Sequence, residues 1–149
     1  MADFGHLKQL EVSNENTAEY TIHQIAVNGK TPTLILAPAT EANKGYFNNL
    51  LKRAGKSARQ VKAGMINLGL VEENREEDKE LYPEYVIRGW KDVLDVDGSD
   101  VKFSKKEAQQ FINLLPNWIF DDIRNFAGNP GSFAEILDIE ISAKNSQSG

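Results

Sequence analysis

The amino-acid sequence predicts a mainly helical α+β fold: a small N-terminal β hairpin followed by a helical body that carries a short Asp-Gly hairpin. Three features predict it. Asn28-Gly29 separates two runs rich in β-branched and aromatic residues, "EYTIHQIAV" and "KTPTLILA", and both turn residues tolerate the positive φ of a type I′ turn. Beyond residue 40, apolar residues recur every three to four positions, which gathers them on one side of a helix. "SKKE" at 104–107 reads as a capping box, Ser104 accepting from the amide three residues on and Glu107 reaching back.

The elements follow in order. Glu19 to Ala37 forms the hairpin, with Pro32 at the start of its second strand or on an edge, where a missing N–H does no harm. Thr40 caps a helix over "EANKGYFNNLLKRAG", in which Tyr46, Phe47, Leu50 and Leu51 face inward and Gly55 offers a stop. A short helix from Ser57 leads into a loop through Gly64 and Gly69, the expected hinge at 64–71. A long charged helix begins near Glu72 and runs to Trp90, with Leu81, Tyr82, Tyr85, Val86 and Trp90 on one side and Pro83 kinking or restarting it. After the capping box, Ala108, Phe111, Ile112 and Leu115 face the core, and Pro116 ends that helix. The next helix turns Trp118, Ile119, Ile123 and Phe126 inward. "NPGS" is a turn, Ser132 caps a final helix over "FAEILDIEISA", and "KNSQSG" is a flexible tail. Residues 1–40 are thus an N-terminal hairpin region, 41–143 a helical body and 144–149 the tail, within a single domain.

Composition narrows the function. The chain has 149 residues, 40% of them hydrophobic and 26% charged, enough to bury one core and typical of a soluble globular protein. A formal net charge of −5 argues against a protein that coats nucleic acid over its whole surface. With no cysteine there is no disulfide framework, thiolate metal site or cysteine nucleophile, which suits a reducing cytoplasm. Neither a signal-peptide pattern nor a membrane-length apolar run occurs, so no membrane association is expected. His6 and His23 lie too far apart in sequence to suggest a local metal pair.

One stretch imitates a metal site. Asp92, Asp95, Asp97 and Asp100 crowd around Gly98. Aligning Gly98 with the invariant glycine of an EF-type calcium loop places Asp95 and Asp97 correctly, but puts Val93 at the first ligand position and Ser104 at the twelfth. The hairpin reading explains more residues: Val93-Leu94 lead in, Asp97-Gly98 turn, and Val101 and Phe103 lead out. No phosphate loop, serine elbow or histidine pair one helical turn apart is present. Asp121 and Asp122 are adjacent and diverge on a helix, a poor acid/base pair. No catalytic residue, metal or cofactor is therefore expected, and an enzyme is the weakest reading.

Charge is unevenly spread. Lys44, Lys52, Arg53, Lys56, Arg59 and Lys62 follow one another with no acid between them, whereas 72–84 holds seven acids against Arg75 and Lys79. The two segments can face each other, or Lys52, Arg53, Lys56 and Arg59 can meet an acidic partner. Nucleic-acid binding through 44–62 is a weaker reading, because Tyr46 and Phe47 lie on the apolar stripe rather than free to stack on bases. Trp90 and Trp118 have helical spacing with other apolar residues and are expected in the core, while Phe120 lies off the main stripe and is the better contact residue. In the final helix, Phe133, Ile136, Leu137 and Ile141 form a candidate partner-binding face.

Taken together, "YTIHQIAVNGKTPTLILAPAT", "NKGYFNNLLKRAG" and, more specifically, "LYPEYVIRGWKDVLDVDGSDVKFSKKEAQQFINLLPNWIFDDIRNFAGNPGSF" resemble the tail assembly chaperone proteins of long-tailed bacteriophages. The shared pattern is a helix ending in a tryptophan, an Asp-Gly turn, a Phe-Ser helix start and a "P-x-W-I" helix opening. The resemblance implies a non-enzymatic protein in the host cell cytoplasm that binds the tape measure protein, keeps it soluble and helps recruit tail tube protein. A longer frameshifted form often accompanies such proteins, and this chain would be the shorter one. A homo-oligomer is compatible with the pattern. The alternative is a structural tail or head-tail connector subunit retained in the virion, with the polarised charges pairing between neighbours.

Overall fold

The computed structural model describes residues 2–54 and 68–140. It is an α+β protein, mainly α, with one three-stranded antiparallel sheet in the order β1-β2-β3. A 3₁₀ turn at Gly5–Leu10 precedes β1 (Ala18–Thr21) and β2 (Thr33–Leu36). Helix α1 (Lys44–Ala54) follows, then α2 (Leu68–Leu81), a single π turn at Tyr82–Val86, and β3 (Ile87–Lys91). Helices α3 (Lys105–Leu114) and α4 (Asn117–Ala127) and a 3₁₀ turn at Pro130–Ser132 complete the described chain.

The hairpin forms as its sequence predicts, with a wider connection. Asn28 and Gly29 take φ of 53° and 75°, and Val27 and Lys30 exchange two backbone hydrogen bonds of 3.0 Å across them. The continuous ladder starts only at Thr21↔Thr33, and Pro32 lies just outside it, its carbonyl accepting from the Ile22 amide at 2.9 Å. Because β2 is the central strand, a proline one residue further on would have removed a ladder bond.

The third strand overturns the expectation of a helix reaching Trp90. Helix α2 stops at Leu81, Pro83 sits in the π turn, and Ile87–Lys91 pairs antiparallel with β2. Gly89 disfavours a helix, and the alternation around it suits a strand. The ladder has a bulge at Ile35/Leu36, which takes Arg88 out of register. Trp90 remains half-buried: its indole N–H donates to the Val101 carbonyl at 2.8 Å, and its ring meets Phe103 edge-on at 5.3 Å.

Three other boundaries move. Helix α1 begins at Lys44, three residues later than Thr40 would set it, because Asn43 occupies the capping position. The buried Asn43 amide also donates to the carbonyls of Pro38 and Tyr85 at 3.0 and 2.9 Å, tying the exit of β2 to the π turn. The short helix from Ser57 and the stop at Gly55 lie outside the described residues, but Gly69 belongs to the first turn of α2 rather than to a hinge loop. The final helix over "FAEILDIEISA" is absent from its described part: residues 134–140 follow the 3₁₀ turn without regular structure. An isolated helix of that length is marginal without a packed face.

The Asp-Gly turn is present. Gly98 has φ of 80°, Leu94 bridges Asp100, and one Asp95 carboxylate oxygen accepts from the amides of Asp97 and Ser99 at 2.9 and 3.0 Å. That carboxylate works as an Asx-type turn element. Ser104 then caps α3 by accepting from the Glu107 amide at 3.1 Å.

The core is one cluster that draws Ile22, Leu34 and Leu36 from the sheet side and Tyr46, Tyr82, Ile112, Phe120 and Ile123 from the helices. At its centre Tyr46, Tyr82 and Phe120 form a run of edge-on aromatic contacts at 5.8 and 5.3 Å. Here the expected roles of two aromatics are exchanged. Phe120 is wholly buried and Trp118 is 57% exposed. The buried stripe of α4 is Ile119, Phe120, Ile123 and Ala127, whereas the residue one turn beyond Trp118 is the exposed Asp122.

Accordingly, chemical denaturation of Phe120→Ala is expected to show a loss of about 3–5 kcal/mol, the range for truncating a core aromatic. Trp118→Ala should stay within about 0.5 kcal/mol of the wild type, as for surface changes.

Candidate functional site

Two surfaces emerge from this fold: a polar cleft between helices α1, α2 and α4, and an apolar protrusion where α3 meets α4. The cleft is about 390 Å³ and is bounded by Tyr46, Asp78, Tyr82, Asp121 and Arg124, among others. Asp78 on α2 is only 4% exposed. One of its oxygens accepts from the Tyr46 hydroxyl of α1 at 2.7 Å, the other from Nε of Arg124 on α4 at 2.8 Å. Arg124 also donates to Asp121 at 3.0 Å, and Asp121 accepts a two-pronged contact from Arg75 of α2 at 2.9 and 2.7 Å. Both oxygens of Asp78 are engaged, so the carboxylate acts as a tie between three helices.

Burial raises the Asp78 carboxyl above the ordinary aspartate range, against the opposing pull of Arg124 and the Tyr46 hydroxyl. Burial, with the charge and hydrogen bond of Asp78, likewise pushes the Tyr46 phenol well up. Desolvation works against the Arg124 cation, but its bonds to Asp78 and Asp121 raise its proton affinity overall. Asp121 moves the other way: hydrogen bonding from Arg75 lowers it, partly offset by desolvation. The two acids therefore respond oppositely to pH. Asp78 favours folding more as pH falls through its raised folded-state range. Asp121 contributes stability above the usual aspartate range and loses it on acidification.

Among the described residues no group of three or more His, Cys, Asp or Glu is placed to hold a metal ion. The polarised charges meet in part within the chain: Arg53 pairs with Glu80 and, at 3.7 Å, with Glu77, and Lys105 with Glu84 at 2.9 Å. Lys52 is exposed, while Lys56, Arg59 and Ile141 lie outside the described residues. Of the apolar candidates, Phe120 and Phe133 are buried and unavailable to a partner, Leu137 is half-buried, and Ile136 is 92% exposed. The final-helix face that was to unite Phe133, Ile136, Leu137 and Ile141 is not formed over its described part.

The apolar protrusion was not anticipated. Leu114, the last residue of α3, is 77% exposed, and Trp118 lies one turn on, across the Pro116 break. Pro116 and Asn117 between them are exposed as well. Beside Leu114 a shallow recess of about 420 Å³ is lined by Lys106, Gln109, Gln110 and Asn113. For Trp118 the signal was available in sequence, since Asp121 and Asp122 lie one turn on; Leu114, with Phe111 three residues back, gave no such signal.

Arg124→Met is expected to destabilise the fold by about 3–5 kcal/mol in denaturant titration, because it strands the buried Asp78 charge. Asp121→Asn should lower stability by about 1 kcal/mol or less at neutral pH, as for partly exposed pairs. That deficit should shrink when thermal unfolding is followed below about pH 3.9, the unperturbed aspartate value, since the carboxylate of the unfolded wild-type chain then takes up a proton while the depressed folded-state carboxylate does so only at lower pH.

Neither the curated proteins nor the solved structures contain a match to the chain. A family model described as YdaY prophage protein matches residues 42–141, from the start of α1 to the C-terminal segment and thus across both surfaces. With more than half of its length covered, this chain belongs to the YdaY prophage protein family and is phage-derived.

Proposed function

We propose that this prophage protein is a tail assembly chaperone of the host cell cytoplasm, which binds the tape measure protein, keeps it soluble and helps recruit tail tube subunits. The observation that carries this reading is the Leu114–Trp118 protrusion, where two large apolar side chains stand in solvent on either side of a helix break. Tryptophan is enriched among the residues that anchor protein interfaces, which makes the exposed Trp118 the leading candidate. A long helical partner such as a tape measure protein offers apolar stripes that such an anchor can grip. The reading is non-enzymatic and cofactor-free.

The internal pairing of Arg53 with Glu77 and Glu80 counts against the alternative, a subunit held in the virion by charge pairing between neighbours. Lys52 remains available as a peripheral contact, and the anchor passes from Phe120 to Trp118 and Leu114.

Co-expression with the tape measure protein of the same prophage tests the reading. The soluble fraction of the tape measure protein should rise several-fold with the wild type and fall back with Leu114→Asp/Trp118→Asp, whose own thermal stability should be nearly unchanged. A tape measure protein that stays insoluble in every case overturns the proposal. Stoichiometric presence of the chain in purified particles would point to the structural subunit instead.

A further inference from the structure

Residues 135–140, "EILDIE", follow the body as an irregular segment in which Leu137 and Ile139 share one parity and Asp138 alternates with them. Ile136 and Ile139 stand 92% and 52% exposed. In an extended conformation Leu137 and Ile139 share one face with Glu135, while Ile136, Asp138 and Glu140 share the other, so from 137 onward the apolar and acidic residues alternate as in a half-buried strand that has no sheet. The sheet, for its part, ends at β1 and β3, and among the described residues no further strand pairs with either outer edge. An open edge is a template for an added strand.

Charge distinguishes the two edges. The segment carries Glu135, Asp138 and Glu140. Strand β1 offers Glu19, which would repel them, whereas β3 offers Arg88 and Lys91, both exposed. Lys91 already meets Glu19 at 2.6 Å, but Arg88, displaced by the bulge, has no ion pair among the described residues. Trp90 of β3 lies on the sheet face of Leu34, with Phe103 and Phe111 against its ring, an apolar surface suited to Leu137 and Ile139.

Reach then determines whose segment it is. Phe133 packs on Phe126 at 5.8 Å, and Phe126 on Tyr20 of β1 at 5.1 Å, so the segment leaves the body on the β1 side. Passing from there to a position beyond β3 means crossing three strand spacings, about 14 Å. If 135–140 are to pair, only the link from Phe133 through Ala134 to Glu135 can make the crossing, and its two Cα–Cα steps span at most about 7 Å.

We propose that residues 135–140 of one molecule add as a strand to the outer edge of β3 in a second copy, and that the exchange is reciprocal, giving a twofold dimer. The acidic segment lies along Arg88 and Lys91, and Leu137 and Ile139 face Trp90. This is independent of any binding to a tape measure protein.

The test is the mass of the full chain by size-exclusion chromatography with light scattering over a concentration series. A dimer is expected, weakening as salt screens the exposed charges. Ile139→Pro, Arg88→Glu and the double variant Asp138→Lys/Glu140→Lys should each raise the dimer dissociation constant about tenfold or more, with circular dichroism and melting temperature of the monomer unchanged. Mixing Arg88→Glu with Asp138→Lys/Glu140→Lys should restore a dimer, because each acidic segment then meets a basic edge and each basic segment an acidic one. A wild type that stays monomeric, a dimer insensitive to these changes, or a mixture that fails to restore it overturns the proposal.

Discussion

The carboxylate of Asp78 is the constraint around which the helical body is arranged. It is held by a hydroxyl from α1 and a guanidinium from α4, and it projects from α2, so the three helices can pack only in positions that satisfy it. Apolar packing alone tolerates some sliding of one helix over another; a buried charge with two directional partners does not. The Tyr46–Tyr82–Phe120 run lies against the same point, and Tyr82 enters it from the π turn that delivers β3 to the sheet. Ion network, aromatic run and third strand thus depend on one another through adjacent residues of one segment.

What could be read from sequence was what neighbours along the chain determine. The Asn28-Gly29 turn, the Asp97-Gly98 turn and the Ser104 cap each need only a few adjacent residues, and each is found in the structure. The third strand was hidden because its partner β2 lies some fifty positions upstream, while the apolar residues just before it continue a helical pattern. Asp78 was hidden for a similar reason: in a run of acids nothing local separates the one that is buried from those that are solvated. The exchange of Trp118 and Phe120 had a local signal, since Trp118 has only Asp121 and Asp122 at helical spacing, but the size of the indole outweighed it. The last segment lacked a packed face, and intrinsic helix propensity could not compensate.

Membership in a prophage family and a fold with a tightly tied centre place the interest of this molecule on its periphery. The Asp78 carboxylate in the cleft has both oxygens engaged by hydrogen bonds. Among the described residues, the outward-facing features include Leu114, Trp118, Arg88 and the irregular segment after Phe133. They lie on different parts of the chain, one at a helix break, one at a sheet bulge and one past the last turn. A body fixed by an internal ion network can present them without itself changing shape.

The contrast between the two tryptophans has an optical consequence. Trp90 is hydrogen-bonded and ringed by Phe103 and Phe111, whereas Trp118 is mostly in water. Their emission therefore differs in wavelength and in access to quenchers, and the chain contains no other indole. The molecule carries its own pair of fluorescent reporters, one sensitive to the integrity of the sheet and the other to whatever covers the helix break.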